Sequence, residues 1–390
     1  MRYLQSVFLA VSVTTIFSLG VRAAEPDTTL RTDYKYAWPR EHQLVLDGTW
    51  QVACSELSET VALPENLDGL DWFEAELPTG VHWALYRAGK AGHPYVGLNA
   101  ADMRWLEDKA WWFRKRFTVP EWFSDKYVRL MVEGTDYYGH YWLNGTYLGR
   151  SEGAFGAAKM TASGLRTAGA NELIVRVECG GYKLGRAGGA PQASLVKSEL
   201  WSGWDVGAHD LNSVGIWQPL RLVASGWPCL ERPFVRTIAL GDDLATIRTT
   251  VEVCSLQDLD ADCDVTVRIR GVGFECHAKD ATTRVRPLSN TVLVDMDSEV
   301  PTPRLWWPNG LGEQPMYESE ITISQAGQQI DRLVVPFGIR TVERGSAGTP
   351  RTDYAQTPWV FHVNGQPMFV KGTNWMPIDA LGDVSPERYE

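Results

Sequence analysis

The chain has 390 residues, of which 44% are hydrophobic and 22% are charged. This composition is that of a packed globular protein of two or three domains, and it excludes a disordered chain and a bundle of membrane helices. The 37 Lys and Arg residues against 48 Asp and Glu residues give a formal net charge of −11. A surface of this charge repels phosphate, so no nucleic-acid partner is expected.

The first 23 residues are predicted to be a secretory signal peptide. Arg2 supplies a positive charge, residues 4–19 are mostly apolar, and small residues at Val21 and Ala23 precede a cleavage site after Ala23. We therefore expect export to the periplasm or the extracellular space. Because no later segment approaches the about 18 uninterrupted apolar residues of a transmembrane helix, no membrane span is expected.

Residues 40–224 are predicted to form a β-sandwich, since apolar and polar residues alternate with period two and helical periodicity is nearly absent. One strand runs directly into Asn144-Gly145, a dipeptide that favours the type I′ turn of a hairpin. The predicted strands of this domain are residues 113–119, 128–132, 141–143, 173–177 and 216–222.

Residues 228–343 are predicted to form a second sandwich of the immunoglobulin-like type. Pro228, Pro233 and the turn-rich residues 345–350 are interpreted as linkers. Asn309-Gly310 is a further candidate hairpin turn. The predicted strands are residues 247–253, 265–269, 291–296, 321–324 and 333–342.

Residues 355–390 begin a third unit. Strands are predicted at 359–363 and 368–371 around an Asn364-Gly365 turn, and Ser385-Pro386-Glu387 is typical of a helix start. A helix that ends at Glu390 would have one turn and would be unstable alone, so we expect this unit to be truncated.

Six cysteines could form up to three disulfides in 15 possible pairings, and buried thiols are an equally good interpretation. No nucleotide-binding, zinc-binding or nucleophile-elbow motif occurs, so neither a cofactor nor a metal is expected. The cysteines are Cys54, Cys179, Cys229, Cys254, Cys263 and Cys276.

Six sequence motifs occur in a recognisable order along the chain. They lie at residues 112–120 (WFRKRFTVP), 134–155, 215–222 (GIWQPLRL), 305–317 (LWWPNG with QPMY), 337–342 (FGIRTV) and 361–379. In this order they resemble the N-terminal part of glycoside hydrolase family 2, most closely its β-mannosidase branch. The resemblance implies a sugar-binding jelly-roll over residues 40–224, an immunoglobulin-like domain over 228–343, and the first strand of a (β/α)8 catalytic barrel over 355–390.

The resemblance also implies substrate-binding residues. Trp204 and Asp205 match the loop that reaches from the jelly-roll into the active site, where the carboxylate accepts hydrogen bonds from the sugar. After Asp205 the β-mannosidase branch usually continues Trp-Gly-Pro, whereas this chain has Val-Gly-Ala at residues 206–208. This departure leaves the shape of the loop and the preferred sugar open. The alternative is that Asp205 only stabilises a turn.

At the start of the barrel, Trp375 is expected to line the sugar subsite, and Asn374 or Asp379 to order its rim. Barrel active sites lie at the carboxyl ends of the strands, which is where Trp375 falls if residues 369–372 form strand one. Structural packing is an alternative role for Asp379.

The expected activity of the full-length protein is retaining hydrolysis of terminal β-linked sugars of the β-mannoside type. The resemblance places both catalytic glutamates on later barrel strands, and a barrel takes about 250 residues. We therefore expect no catalytic glutamate in this chain and no hydrolysis by it alone. The alternatives are a stand-alone carbohydrate-binding β-sandwich, a purely structural β-protein, or a related β-glucuronidase, β-galactosidase or exo-β-glucosaminidase.

Overall fold

The computed structural model describes Arg40 and residues 42–179, 186–187, 190–191, 212–255, 259, 261–287, 291–346, 359–374 and 379–383. The predicted signal peptide and the predicted helix start at Ser385 lie outside these residues. Within them the chain is built mainly of β-strands, which confirms the predicted fold class of successive β-sandwiches. No helix in the described ranges has the length and apolarity needed to cross a membrane.

The first sandwich contains fifteen of the described strands and two short helices. The helices are α1 (Val81–Arg87) and α2 (Asn99–Asp102). The strands are β1 (Gln43–Val45), β2 (Gly48–Glu56), β3 (Phe73–Leu77), β4 (Thr79–Gly80), β5 (Lys109–Phe117), β6 (Tyr127–Val132), β7 (Thr135–Asp136), β8 (Tyr138–Leu143), β9 (Thr146–Glu152), β10 (Ala158–Thr161), β11 (Asn171–Glu178), β12 (Arg186–Ala187), β13 (Ala190–Pro191), β14 (Gly215–Ile216) and β15 (Leu220–Ser225).

Two antiparallel sheets of the first sandwich share one apolar core. One sheet has the order β3-β2-β5-β11-β8-β9 and the other β1-β15-β6-β10, while β4-β14-β7 forms a small third sheet at one end. Trp50 and Phe113 of the larger sheet and Leu130 and Leu222 of the smaller one belong to the same buried cluster. Helix α1 directly follows β4 of this small sheet.

The Asn144-Gly145 turn between β8 and β9 is confirmed. Both residues have positive φ, 50° and 82°, and Leu143 pairs with Thr146 across the turn. This is the backbone geometry of a type I′ turn, which matches the twist of the two strands it joins.

The second sandwich packs a three-stranded sheet against a four-stranded one around a separate core. Its strands are β16 (Cys229–Leu240), β17 (Leu244–Cys254), β18 (Cys263–Gly271), β19 (Ala281–Val285), β20 (Thr291–Pro301), β21 (Tyr317–Gln325) and β22 (Gln328–Phe337). The sheet orders are β16-β17-β20 and β19-β18-β21-β22. In β17 every second residue is buried, as the alternation predicts.

The strand predicted over residues 333–342 ends at Phe337, and residues 338–341 belong to no strand. Two further sequence interpretations in this sandwich are wrong. Pro233 is not in a linker but inside β16, where the register shifts between Glu231 and Phe234 and Arg232 has a φ of 44°. A proline lacks the N–H of a ladder bond, and the bulge on an edge strand accommodates it. Asn309-Gly310 joins no hairpin, since only the glycine has positive φ and no strand lies between β20 and β21.

The third unit is a three-stranded antiparallel sheet formed by β23 (Val342–Ser346), β24 (Trp359–Val363) and β25 (Gln366–Met368). Residues 345–346, predicted as part of a linker, therefore belong to a strand. Its Asn364-Gly365 turn is confirmed, with φ values of 50° and 76°. The strand predicted over residues 368–371 ends at Met368 instead, and residues 369–374 make no ladder with any described strand. Period-two alternation predicts extended backbone, but a strand also requires a neighbour to pair with.

Candidate functional site

The structure describes two of the five residues predicted to bind substrate. Trp204, Asp205 and Trp375 lie outside the described residues. Asn374 is exposed to solvent, whereas Asp379 is only 2% exposed. The surroundings of Asp379, and the ends of the segments that carry the other residues, therefore define the candidate site.

The Asp379 carboxylate joins the third unit to the first sandwich. Trp83 donates its indole N–H to Oδ1 at 3.0 Å, and Tyr95 donates its hydroxyl to Oδ2 at 3.1 Å. The same carboxylate also accepts two backbone N–H groups, from Leu381 at 2.8 Å and Asp383 at 3.0 Å. Both oxygens are thus used in holding residues 379–383 in a tight turn on the first sandwich.

Helix α1 presents Trp83 to this carboxylate. The helix has seven residues, its N-cap Gly80 provides no side-chain cap, and Val81 to Leu85 are all buried. Neither a capping residue nor a long apolar repeat marks this segment, which explains why sequence reasoning missed it. Its stability comes from burial against the surrounding sheets.

Three aromatic rings surround the Trp83 indole that donates to Asp379. Trp83 meets Tyr86 at 5.9 Å, His93 at 5.1 Å and Tyr95 at 5.6 Å between ring centroids, each edge to face. The backbone N–H of Tyr95 also donates to Nδ1 of His93 at 3.2 Å. These edge-to-face contacts fix the orientation of the two rings that donate to Asp379.

An ion pair extends the same contact surface. Arg87 at the end of α1 pairs with Asp383 at 2.8 Å, and its guanidinium lies 5.7 Å from the centroid of the Trp83 ring. Both ends of residues 379–383 are therefore held by side chains of the first sandwich.

The backbones approach each other closely at the same place. A Cβ on Gly80 would lie 1.8 Å from the carbonyl oxygen of Leu381, so only glycine fits there. Gly382 has a φ of 90°, and a Cβ on it would lie 3.1 Å from Cβ of Trp217. The turn thus contacts both the start of α1 and the segment that follows β14.

The loop predicted to carry Trp204 and Asp205 ends at this same place. Asn212, seven residues after Asp205, donates its backbone N–H to Oε1 of Glu107 at 3.0 Å and its amide to Oε2 at 2.6 Å. Val214 accepts the backbone N–H of Val81 at 2.8 Å, and Ser213 donates to the carboxylate of Asp136. Helix α1 therefore contacts both Val214, nine residues after Asp205, and Asp379, four residues after Trp375.

Burial keeps two titratable side chains of the support, Tyr95 and His82, in their neutral forms near neutral pH. Burial, followed by the Asp379 carboxylate, raises the pKa of Tyr95 well above its usual range, so the phenol keeps its proton and remains a donor. Burial lowers the pKa of His82 to about 4, so this ring of α1 stays neutral. Among the described residues no group of three His, Cys, Asp or Glu side chains could hold a metal ion.

Comparison with known families and proteins gives a consistent assignment. Residues 50–218 match the glycosyl hydrolase 2 galactose-binding domain-like family, and residues 230–340 match glycosyl hydrolases family 2. A β-mannosidase B of Aspergillus oryzae is 26% identical over 334 residues, 80% of this chain and 37% of that protein. A β-mannosidase B of Aspergillus terreus is 27% identical over 81% of this chain and 38% of its own length.

Solved structures of similar proteins share the fold. A β-D-mannosidase from Dictyoglomus thermophilum superposes with a TM-score of 0.69 at 26% identity, covering 89% of this chain and 42% of that chain. A Bacteroides uniformis β-glucuronidase has a TM-score of 0.61 at 16% identity, covering 89% of this chain and 37% of its own, which shows the fold alone. The chain thus spans less than half the length of these relatives. Two adjoining family matches in sequence order, together with these relatives, show that the chain belongs to glycosyl hydrolase family 2 and corresponds to its N-terminal portion.

Proposed function

We propose that the protein containing this chain is an exo-glycosidase of the β-mannosidase type, which hydrolyses terminal β-linked mannose. One observation supports this most strongly. Helix α1 anchors both Val214, at the end of the loop with Trp204 and Asp205, and Asp379, four residues after Trp375. Two segments distant in sequence are thereby brought to one support, as a site shared between a sugar-binding domain and a catalytic domain requires.

The charge of Asp205 suits a role in sugar binding. An ionised carboxylate accepts hydrogen bonds from neighbouring hydroxyls, and such charge-assisted bonds are roughly twice as strong as neutral ones. The two indole rings, of Trp204 and Trp375, offer flat apolar faces to a pyranose ring. In this proposal Asn374, which is exposed, adds a polar group at the rim.

Asp379 has a positioning role in the proposal. Its two oxygens accept four hydrogen bonds and it is nearly inaccessible, so it does not contact the sugar. By holding the turn that follows Trp375 it orders the rim of the site.

The catalytic step itself requires two carboxyl groups about 5–5.5 Å apart in a retaining glycosidase. The buried glutamates of the first sandwich are used otherwise: Glu178 pairs with Arg176 at 2.5 Å, Glu107 holds Asn212, and Glu133 pairs with Arg221. We therefore assign neither catalytic carboxyl group to the described residues, and we expect both on barrel strands of the complete protein.

The test compares the hydrolysis of nitrophenyl glycosides by two proteins, the one expressed from the complete gene and the 390-residue chain alone. We expect turnover of the β-mannoside by the former and none by the latter. Faster hydrolysis of the β-glucuronide, β-galactoside or β-glucosaminide would contradict the proposed substrate but not the proposed glycosidase reaction. Binding of manno-oligosaccharides without hydrolysis by either protein would support a carbohydrate-binding protein instead.

The variant Asp205→Asn tests the sugar contact. Loss of a charged hydrogen bond of about 1.5–3 kcal/mol predicts a fall in kcat/KM of roughly 10- to 150-fold. Asp210→Asn in the same loop is the matched control and should leave kcat/KM near that of the unmodified protein. Equal effects of the two substitutions would contradict the assignment of Asp205.

We also propose that the protein is exported and that residues 1–23 are removed. Amino-terminal sequencing of the protein secreted by its native host should then begin at Ala24. A mature protein that starts at Met1 would contradict this proposal.

A further inference from the structure

Cys229 and Cys254 lie directly opposite each other on β16 and β17. Directly opposed residues of antiparallel strands have Cα atoms about 4.5–5.5 Å apart, which falls within the 4.4–6.8 Å span of disulfides. The side chains are also on the same face, because directly opposed residues of an antiparallel pair point to the same side of the sheet. No other ladder position of the described strands pairs two cysteines, since Cys54 faces Trp111 and Cys263 faces Val285.

The two sulfurs differ in environment in a way that suits thiol–disulfide exchange. Cys229 is buried, whereas Cys254 is partly exposed and its sulfur lies 3.6 Å from the Thr291 hydroxyl. The hydrogen bond from Cys229, then that with Thr291 and the charge of Lys159, lower the pKa of the Cys254 thiol. The hydrogen bond and burial raise the pKa of Cys229. Because Cys254 is partly exposed and Cys229 is buried, we take Cys254 as the accessible nucleophile and Cys229 as the resolving thiol behind it.

Positive charge surrounds this pair at the junction of the two sandwiches. Glu231, two residues after Cys229, accepts Lys159 at 2.8 Å, Arg40 at 3.5 Å and Arg129. Arg40 also pairs with Asp331 at 2.9 Å. Three cations thus share two carboxylates, which leaves a local excess of positive charge that attracts an anionic oxidant.

We propose that Cys229 and Cys254 are an oxidation site, at which an anionic low-molecular-weight disulfide such as oxidised glutathione produces a cross-strand disulfide. The Cys254 thiolate attacks one sulfur of the oxidant, forms a mixed disulfide and releases one thiolate. Cys229 then loses its proton and attacks the Cys254 sulfur, which releases the second thiol. Two protein thiols are oxidised and one disulfide is reduced to two thiols, so the exchange is balanced.

The disulfide would restrain Cys229, the first residue of the edge strand β16. β16 lies at the edge of its sheet and departs from regular register between Glu231 and Phe234 and between Thr237 and Ala239. Cross-linking at Cys229 fixes the end of this strand next to the ion pairs that join the two sandwiches. This inference does not rest on the proposed glycosidase activity.

The test uses the full chain, reduced and then incubated with oxidised glutathione. The number of free thiols in denaturant should fall by two, from six to four, and peptide mapping should find a bond between Cys229 and Cys254. Six remaining thiols, or a bond between any other two cysteines, would overturn the proposal.

Three variants show the roles of the two sulfurs. Cys229→Ser should stop at a mixed disulfide of one glutathione on Cys254, and Cys254→Ser should form no bond involving Cys229. The matched control Cys276→Ser should still lose two thiols. If a serine variant does not fold, peptide mapping of the unmodified chain still decides the question. Loss of two thiols in Cys254→Ser, as in the unmodified chain, would contradict the assignment of Cys254 as the nucleophile.

Discussion

The two sandwiches differ in where the ion pairs between their own strands lie. The first buries ion pairs in its interior, such as Arg176 with Glu178 and Arg221 with Glu133, whose side chains are all at most 5% exposed. Pairs between strands of the second sandwich lie on outer strand faces, as with Arg248 and Asp297, and its nearly buried Asp331 pairs instead with Arg40 of the first sandwich. The interior polar contact of the second sandwich is a neutral one, between the hydroxyls of Thr249 and Ser319 at 3.3 Å.

We relate this difference to the loop that the first sandwich holds in place. A buried ion pair adds little net stability, because the cost of desolvation offsets much of the attraction. Removing one partner is nevertheless strongly destabilising, because the other charge is then buried without compensation. In the first sandwich the buried Glu107 side chain accepts two hydrogen bonds from Asn212, at the end of the loop proposed to bind sugar.

The largest effect is expected from breaking one buried pair. Glu133→Gln removes the charge that compensates the Arg221 guanidinium, which is 5% exposed. We expect the free energy of unfolding to fall by about 3–5 kcal/mol, as for other buried pairs that lose one partner. Denaturant unfolding of the chain measures it through the transition of the first sandwich.

Two further variants make this test specific. The double variant Glu133→Gln, Arg221→Met should recover part of the loss, since no uncompensated charge then remains buried. Glu252→Gln, on an exposed pair with Arg232 in the second sandwich, should change stability by no more than about 0.5 kcal/mol. Equal losses in Glu133→Gln and Glu252→Gln would remove the distinction between the sandwiches.

An intermediate effect is expected where the third unit meets α1. Asp379→Ala removes the acceptor of Trp83, Tyr95 and the Leu381 and Asp383 amides. Hydrogen bonds to charged groups contribute about 1.5–3 kcal/mol, so the local opening free energy should fall by a similar amount. Amide hydrogen exchange at these two residues measures that change.

A matched substitution on the donor side separates this contact from general destabilisation. Tyr95→Phe removes one hydrogen bond and should speed exchange at Leu381 less than Asp379→Ala does. Exchange in the β17 strand should be unaffected by either variant. Faster exchange throughout the chain would show that Asp379 supports the whole fold and not one turn.

Local sequence patterns predicted the β architecture well, because alternation and turn chemistry act over a few residues. The φ values of Asn144-Gly145 and Asn364-Gly365 illustrate this. The same local rules failed at Pro233, where a bulge accommodates the proline, and at Asn309-Gly310, where no strands flank the turn. A turn dipeptide specifies a bend, but neighbouring strands decide whether that bend closes a hairpin.

The candidate site was predictable only in part, for a different reason. Resemblance to a family indicated Asp379, but not its partners, since Trp83 and Tyr95 lie 296 and 284 positions away. Trp83 belongs to a short, uncapped helix that no sequence signal marks. Contacts between distant segments arise from the packing of domains, which local periodicity does not encode.

The smallest effect is expected from an exposed pair of the second sandwich. The Arg248 guanidinium, which donates to both Asp297 oxygens at 2.7 and 2.8 Å, lowers the pKa of this carboxyl from its ordinary value of 3.8. A carboxyl with a lower pKa in the folded state stabilises the fold above its unfolded pKa, and this contribution disappears as the pH falls through the folded pKa. Because both side chains are largely in water, solvent and salt screen the attraction.

Asp297→Asn should therefore shift the unfolding midpoint only slightly at pH 7 and low salt, and not measurably at pH 2 or in 1 M salt. Thermal unfolding at these three conditions provides the measurement, with Glu133→Gln as the buried counterpart. The loss in Glu133→Gln should persist in high salt, because mobile ions do not reach a pair so nearly buried. A salt-sensitive loss in Glu133→Gln, or a salt-resistant one in Asp297→Asn, would reverse the contrast between the two sandwiches.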